Sequence, residues 1–276
     1  MTPDAALAAA AIRDWVGDGA SLTPLRAMNS STWLVASAAE RYVLKISRAR
    51  EEPAMRVAAW LDAHGLRTGA PFRVAVRGDR LVALLELVDG RPLGAADADV
   101  DLLGATLGRA HRLLAGAPVP PRIDRWPWSW PDATVIGEPA LRRAAAAAIG
   151  EAHRLAPTLT HGILHGDPAP EAFLASDGAA PDVALIDWGA ACHGPLLYDV
   201  ASAWLYAGPR VLPAYARTAP IGDAELAAAR TFLAFRWAVQ AWYFADRIRR
   251  DDRTGLGVDE NAKGLADARR ALLDPT

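Results

Sequence analysis

Hydrophobic periodicity changes character once along this chain, close to Gly90, and that switch restricts the fold more than any single residue does. Before it, between Leu25 and Val88, the runs WLVAS, RYVLKIS, FRVAVR and RLVALLELV have strand character. Arg77-Gly78-Asp79-Arg80 puts a Gly-Asp pair between the last two runs, the signal for a tight hairpin. Between the second and third runs, EEPAMRVAAWLDAHG spaces Met55, Ala58, Ala59 and Leu61 near the helical period and stops at Gly65. A first helix is predicted over Pro3 to Trp15, so the order is helix, then strand, strand, helix, strand, strand. After Gly90, DLLGATLGRAHRLLAG, PALRRAAAAAIGEAHRLA, DVASAWLYAG, AELAAARTFLAFRWAVQAWYFADRIRR and ENAKGLADARRALLD all read as helices.

With 276 residues, 52% of them hydrophobic, there is material for two modest lobes with ample cores. A formal net charge of -2 offers no electrostatic reason to expect nucleic acid or an anionic membrane as partner, so neither is expected. Cys192 is the only cysteine, which rules out an intramolecular disulfide and makes the cytoplasm the expected compartment. The alanine-rich start lacks a basic segment and is broken by Arg13 and Asp14, and no apolar run approaches the roughly 18 residues of a membrane span.

Two strand-like runs interrupt the helical half, GILHG and VALID, and each leads into a carboxylate, Asp167 and Asp187. In LHGDPAPEAF, Pro168 and Pro170 deny the loop a helix and Gly166 permits a sharp turn, so Asp167 is held on a stiff loop. Two loop carboxylates at strand ends suit phosphoryl transfer, one accepting a hydroxyl proton while the other holds Mg²⁺ on the phosphates. RYVLKIS adds the cation such a site needs. Val43 and Lys45 share one face of that strand, so Val43 can pack on a flat base while Lys45 reaches phosphates.

These motifs resemble those of the aminoglycoside phosphotransferase and choline kinase group, small-molecule kinases with a protein-kinase-like fold. The group's His-Gly-Asp stands here as His165-Gly166-Asp167, its Ile-Asp-Trp as Ile186-Asp187-Trp188, and its Gly-Pro and Asp-Leu-Ala as Gly194-Pro195 and Asp199-Val200-Ala201. The resemblance covers nearly the whole chain. It implies an α+β, bilobal fold: a small N-terminal nucleotide-binding lobe, residues 1–88, with an antiparallel sheet and one packed helix, and a larger, mainly helical lobe, residues 89–276. It implies transfer of the γ-phosphoryl group of ATP or GTP, with Mg²⁺, to a hydroxyl of a small molecule such as an aminoglycoside-like antibiotic or amino sugar. Asp167 is then the base, His165 orders the loop, Asp187 is the metal ligand and Asp199 a buried brace.

The family's metal-binding asparagine falls at Ala172, and a methyl group ligates nothing. Its neighbour Glu171 is the candidate replacement, water being the alternative. The same resemblance places the turn over the phosphates at Asn29 to Thr32, with Ser30 and Ser31 as donors, the acid paired with Lys45 at Glu52 in preference to its neighbour Glu51, and the adenine hinge at the Glu86 carbonyl and Val88 amide. The departure at Ala172 leaves a second reading, a pseudokinase-like protein that binds nucleotide without efficient transfer. His161, His165 and Asp167 have the spacing of a metal-hydrolase site, but Gly162, Gly166 and Pro168 deny them the helix it requires. Trp126, Trp128 and Trp130 read first as packing beneath a proline-rich connection and second as an aromatic face for a cation.

Overall fold

The computed structural model describes residues 2–25, 30–38, 40–126, 131–178 and 181–274. The first elements are α1 (Pro3–Trp15), β1 (Ser21–Leu25), β2 (Ser31–Ala36), β3 (Arg41–Arg48), α2 (Glu52–Ala63), β4 (Pro71–Arg77), β5 (Arg80–Glu86) and β6 (Arg91–Pro92). Next come α3 (Asp97–Leu114), α4 (Pro139–Leu155), β7 (His161–Leu164), β8 (Phe173–Ala175), β9 (Val183–Leu185) and β10 (Cys192–Pro195). The chain closes with α5 (Leu197–Ala207), α6 (Val211–Ala216), α7 (Asp223–Leu226), α8 (Ala229–Arg249) and α9 (Val258–Leu273). They fall into two compact units, one of residues Met1–Pro92, Ala117–Ile123 and Ala172–Ala191, the other of Leu93–Gly116, Asp124–Glu171 and Cys192–Thr276.

In the first unit an antiparallel sheet runs in the order β1-β2-β3-β5-β4. Alternation along β3 sends Leu44 and Ile46 to one face, where they join Trp33, Val35, Val82 and Leu84 beneath Ala8, Ala11 and Ile12 of α1. Each such aliphatic side chain, fully buried, stabilises the fold by about 1.5–3 kcal/mol. Asp4 fastens α1 further, accepting from the Ser31 hydroxyl at 2.8 Å and from Arg80 Nε at 3.2 Å. The β4–β5 connection is the expected two-residue hairpin, with Arg77 opposite Arg80 and Gly78 at φ 63°. A second, three-stranded sheet, β6-β8-β9, belongs to the same unit. β1 was not legible because Pro24 lies within it; as the edge strand it tolerates the lost donor.

The second unit is built on helices, with β7 and β10 as a short antiparallel pair. α8 packs against α4, α5 and α9, and α3 against α6. The long helix expected from Ala224 to Arg250 is in fact two, α7 and α8. Trp126 is core, stacked on Phe232 at 6.0 Å and tilted against Phe235 at 5.4 Å, which favours packing over a cation-binding face; Trp128 and Trp130 lie outside the described residues. No described helix is long and apolar enough to cross a membrane.

Two glycines let α3 approach α6. A Cβ on Gly104 would lie 2.6 Å from the Val211 carbonyl and 2.7 Å from the Ala214 methyl, and one on Gly108 2.7 Å from the Tyr215 carbonyl. Because backbone cannot yield cheaply, Gly104→Ala and Gly108→Ala should each lower stability by about 1–3 kcal/mol, outweighing alanine's helix advantage of about 1 kcal/mol. Gly150→Ala in α4, where a Cβ meets nothing within 4 Å, should instead raise the thermal midpoint. Midpoints that move alike in all three variants would contradict this account of the α3–α6 contact.

Candidate active site

Lys45 lies on the face of β3 opposite the α1 core, in register with Thr32 on β2 and Ala83 on β5, while Val43 lies between Leu34 and Leu85. An apolar patch and a cation therefore share one face, as the alternation of RYVLKIS requires. Lys45 Nζ donates to Asp187 Oδ1 at 2.5 Å. The lysine side chain is only 14% exposed and the aspartate 66%.

Asp187 follows β9 with φ 62° and ψ 52°, the left-handed region that aspartate enters more readily than most residues. The strand end beneath it is pinned: Leu185 N–H donates to Arg67 O at 2.9 Å, Ile186 N–H to Ala172 O at 2.8 Å, and the buried Trp188 indole to Leu185 O at 2.7 Å. Gly189 leaves room for two long side chains. A Cβ on it would sit 2.9 Å from Glu51 Oε2 and 3.1 Å from Lys45 Nζ.

Glu51 and Lys45 thus converge beside Asp187, and the expected partner Glu52 does not join them. Glu52 opens α2 and accepts from Arg56 one turn on, at 2.9 Å, whereas Glu51 ends the preceding 3₁₀ turn and faces Gly189. Ser31 also departs from its expected place. It pairs with Ile46, so its hydroxyl is on the α1 face and is engaged by Asp4. Ser30 and Thr32 share a hydroxyl contact at 3.1 Å, and Thr32 lies opposite Lys45; Asn29 is outside the described residues. Glu86 N–H donates to Ala70 O at 3.0 Å, its carboxylate lies 3.6 Å from Arg67, and Val88 is buried.

In the second unit, Asp199 at the start of α5 is fully buried. It accepts from His165 N–H at 2.6 Å and from Gly166 N–H at 2.9 Å, and lies 3.1 Å from His111 Nε2. His111 Nδ1 is in turn 2.8 Å from the Tyr215 hydroxyl. His165 is buried, and its Nδ1 accepts from Asp167 N–H at 3.4 Å. Gly166 makes the turn at φ 90°. Asp167 itself reaches out, 55% exposed, toward Tyr206 and Arg236. Glu171 is exposed in the 3₁₀ turn after the loop, and its charge is felt at the Tyr206 hydroxyl. Burial, reinforced by Asp199 and Asp124, pushes the Cys192 thiol up, so it is no nucleophile.

Asp187 and Lys45 are thus brought together in one unit, and Asp167, His165 and Asp199 in the other. Among the described residues no three His, Cys, Asp or Glu side chains gather as a metal site. Mg²⁺ does not need one: it commonly takes one or two carboxylates and fills its shell with phosphate oxygens and water, a role the exposed Asp187 fits. Tyr206, Arg236, His111 and Tyr215 were not singled out from the sequence. Arg236 left a signal, a lone arginine inside the apolar run FLAFRWAVQAW, while the other three sit in unexceptional helical contexts.

Residues 21–233 match the family described as "Phosphotransferase enzyme family". No curated protein matches by sequence. Among solved structures, the microcompartment-associated aminopropanol kinase is 18% identical with a TM-score of 0.73, each chain covered over 98% of its length. The choline kinase LicA from Streptococcus pneumoniae is 13% identical with a TM-score of 0.72, over 98% of this chain and 99% of that one. Spectinomycin phosphotransferase APH(9)-Ia, solved with ADP and spectinomycin, is 11% identical with a TM-score of 0.70, over 98% and 94%. The bilobal, protein-kinase-like fold class expected from the motifs is the fold found.

The clamp at Asp199 can be tested directly. Asp199→Ala leaves two buried amides and His111 without their acceptor, each unsatisfied group costing about 1–3 kcal/mol. The urea midpoint should fall steeply, and less in Asp199→Asn, which keeps one acceptor oxygen. An alanine variant as stable as the parent would remove the bracing role.

Proposed function

Because the chain belongs to the phosphotransferase enzyme family, we propose that it moves the γ-phosphoryl group of ATP or GTP to a hydroxyl of a small molecule, an aminoglycoside-like antibiotic, an amino sugar or a related metabolite, in the cytoplasm. The observation that carries this reading is the Lys45–Asp187 pair at 2.5 Å: a phosphate-seeking cation and a hard oxygen ligand, placed by a strand and a strand end. The names of the structural neighbours, an aminopropanol kinase, a choline kinase and a spectinomycin phosphotransferase, support small-molecule acceptors.

In this reading Lys45 contacts the phosphates, held in place by Glu51, and the apolar face around Val43 packs on the base. Mg²⁺, held by Asp187 with Glu171 as the added oxygen donor, would supply charge neutralisation on the phosphates. The protein's own work is orientation and proton transfer: Asp167 takes the acceptor's proton, on a loop fixed by His165 and Asp199. Ala172, buried where the family has a metal-binding asparagine, favours one alternative, a pseudokinase-like nucleotide-binding protein. Magnesium-dependent turnover of ATP and GTP across amino sugars, macrolides, choline-like alcohols and nucleosides separates the two.

Asp167→Asn should keep nucleotide binding while turnover falls roughly 10²- to 10⁴-fold, the worth of a general base. Parental turnover in that variant would remove the assignment. Lys45→Met should weaken ATP far more than adenosine in a calorimetric titration, since only ATP carries the phosphates. Equal weakening of both ligands would show that the lysine does not reach them.

A further inference from the structure

The two oxygens of the Asp167 carboxylate are in different circumstances. Oδ1 accepts from the Tyr206 hydroxyl at 2.9 Å and lies 3.5 Å from Arg236 Nη2. The same Nη2 donates to the Tyr206 oxygen at 3.3 Å, so arginine, tyrosine and aspartate close a small ring on a single carboxylate oxygen. Oδ2 has no partner among the described residues, and the side chain is 55% exposed.

Arg236 is an expensive residue to place here. It is 7% exposed, in a stretch of α8 that also buries Phe232, Phe235, Ala238 and Val239, with its guanidinium 5.4 Å from the Tyr198 ring and its buried Nε without an acceptor. Burial opposes its charge, but Tyr198, Tyr206, Asp167 and Asp199 together outweigh that and hold it a cation. Burial and the Asp167 carboxylate push the Tyr206 hydroxyl up, so it remains a donor. A packing role would be met at lower cost by an apolar side chain, since a buried charge is disfavoured unless paired. The ion pair it makes is with the proposed base.

We propose that Tyr206 and Arg236 are positioning residues of the transfer reaction, which hold Oδ1 of Asp167 and so present Oδ2 to the acceptor hydroxyl. The inference rests on the phosphotransferase reading above. In the step itself the acceptor oxygen bonds to the γ-phosphorus as its proton passes to Oδ2. The bond from that phosphorus to the β–γ bridging oxygen breaks, its electron pair leaves with the nucleoside diphosphate, and Asp167 later gives the proton to solvent. Tyr206 and Arg236 neither gain nor lose a proton. A carboxylate left free rotates about a broad two-fold torsion, so fixing one oxygen removes a freedom that would otherwise be lost at the transition state.

The experiment measures kcat, KM and the pH profile for release of phosphate from Mg-ATP, with water as acceptor and again with any acceptor found in the screen. Tyr206→Phe should lower kcat by about tenfold, about 1.4 kcal/mol of barrier, with KM for ATP unchanged. Its pH profile should differ from the parent's, because the carboxylate has lost a donor. Arg236→Met should lose more, and Arg236→Lys should recover part of that loss. If Arg236→Met does not fold, Tyr206→Phe decides. Parental kcat and pH profile in Tyr206→Phe and Arg236→Lys, beside an inactive Asp167→Asn, would overturn the positioning role and leave the function standing. Parental activity in Asp167→Asn, or a parent that turns over neither Mg-ATP nor Mg-GTP with any acceptor, would overturn the function and this inference with it.

Discussion

A fully buried carboxylate, Asp199, governs the second unit of this protein. An unpartnered charge at that depth would be prohibitive, and the structure meets the requirement with two backbone amides from His165 and Gly166, a ring nitrogen of His111 and a place in the first turn of α5, where the helix dipole favours an anion. The dependence runs both ways. Between β7 and the 3₁₀ turn that Pro170 opens, the loop belongs to no regular element, so its direction is set by the amides that Asp199 captures. His111 reaches the carboxylate, backed by the Tyr215 hydroxyl on its other ring nitrogen, where Gly104 and Gly108 let α3 and α6 approach to backbone contact. A packing decision between two helices thereby fixes the bearing of Asp167.

The first unit solves a different electrostatic problem. Lys45 is mostly covered, and a covered ammonium needs a counter-ion; Asp187 provides it from a left-handed turn, with Glu51 adjacent and Gly189 leaving room. The aspartate is mostly exposed and so carries little desolvation cost. Asp167 in the second unit is likewise more than half exposed, with Oδ1 engaged by Tyr206. In both places a carboxylate is tied to the protein and still meets solvent.

The elements with strong periodicity were legible: α1, the four strands β2 to β5, α2, and the long helices of the second unit all follow from period and punctuation. Those that carry a proline inside, β1 with Pro24 and α6 with Pro213, were not, because position at a sheet edge or against α3 overrides propensity. Of the motif residues, Lys45 lies beside Asp187, and Asp167 follows the two amides that Asp199 captures. The misplacements have one cause, since Glu51 versus Glu52 and Ser31 versus Thr32 each differ by one position. A single residue step changes the face of a strand or the bearing of a turn, and a local pattern does not say which face a distant partner will cover. Tyr206 and Arg236 show the same limit over a longer range, because they meet Asp167 across 39 and 69 residues.

The first unit is also discontinuous in sequence, completed by a segment that ends at Ala191. Lys45 precedes its counter-ion by 142 residues. At translation rates of roughly 5–20 residues per second, the lysine leaves the ribosome on the order of ten seconds before Asp187 exists. The sheet around Leu44 and Ile46 can collapse onto α1 in that interval, since its core lies within the first 84 residues. Of the three charges that meet beside Gly189, Lys45 and Glu51 are therefore made first and Asp187 last.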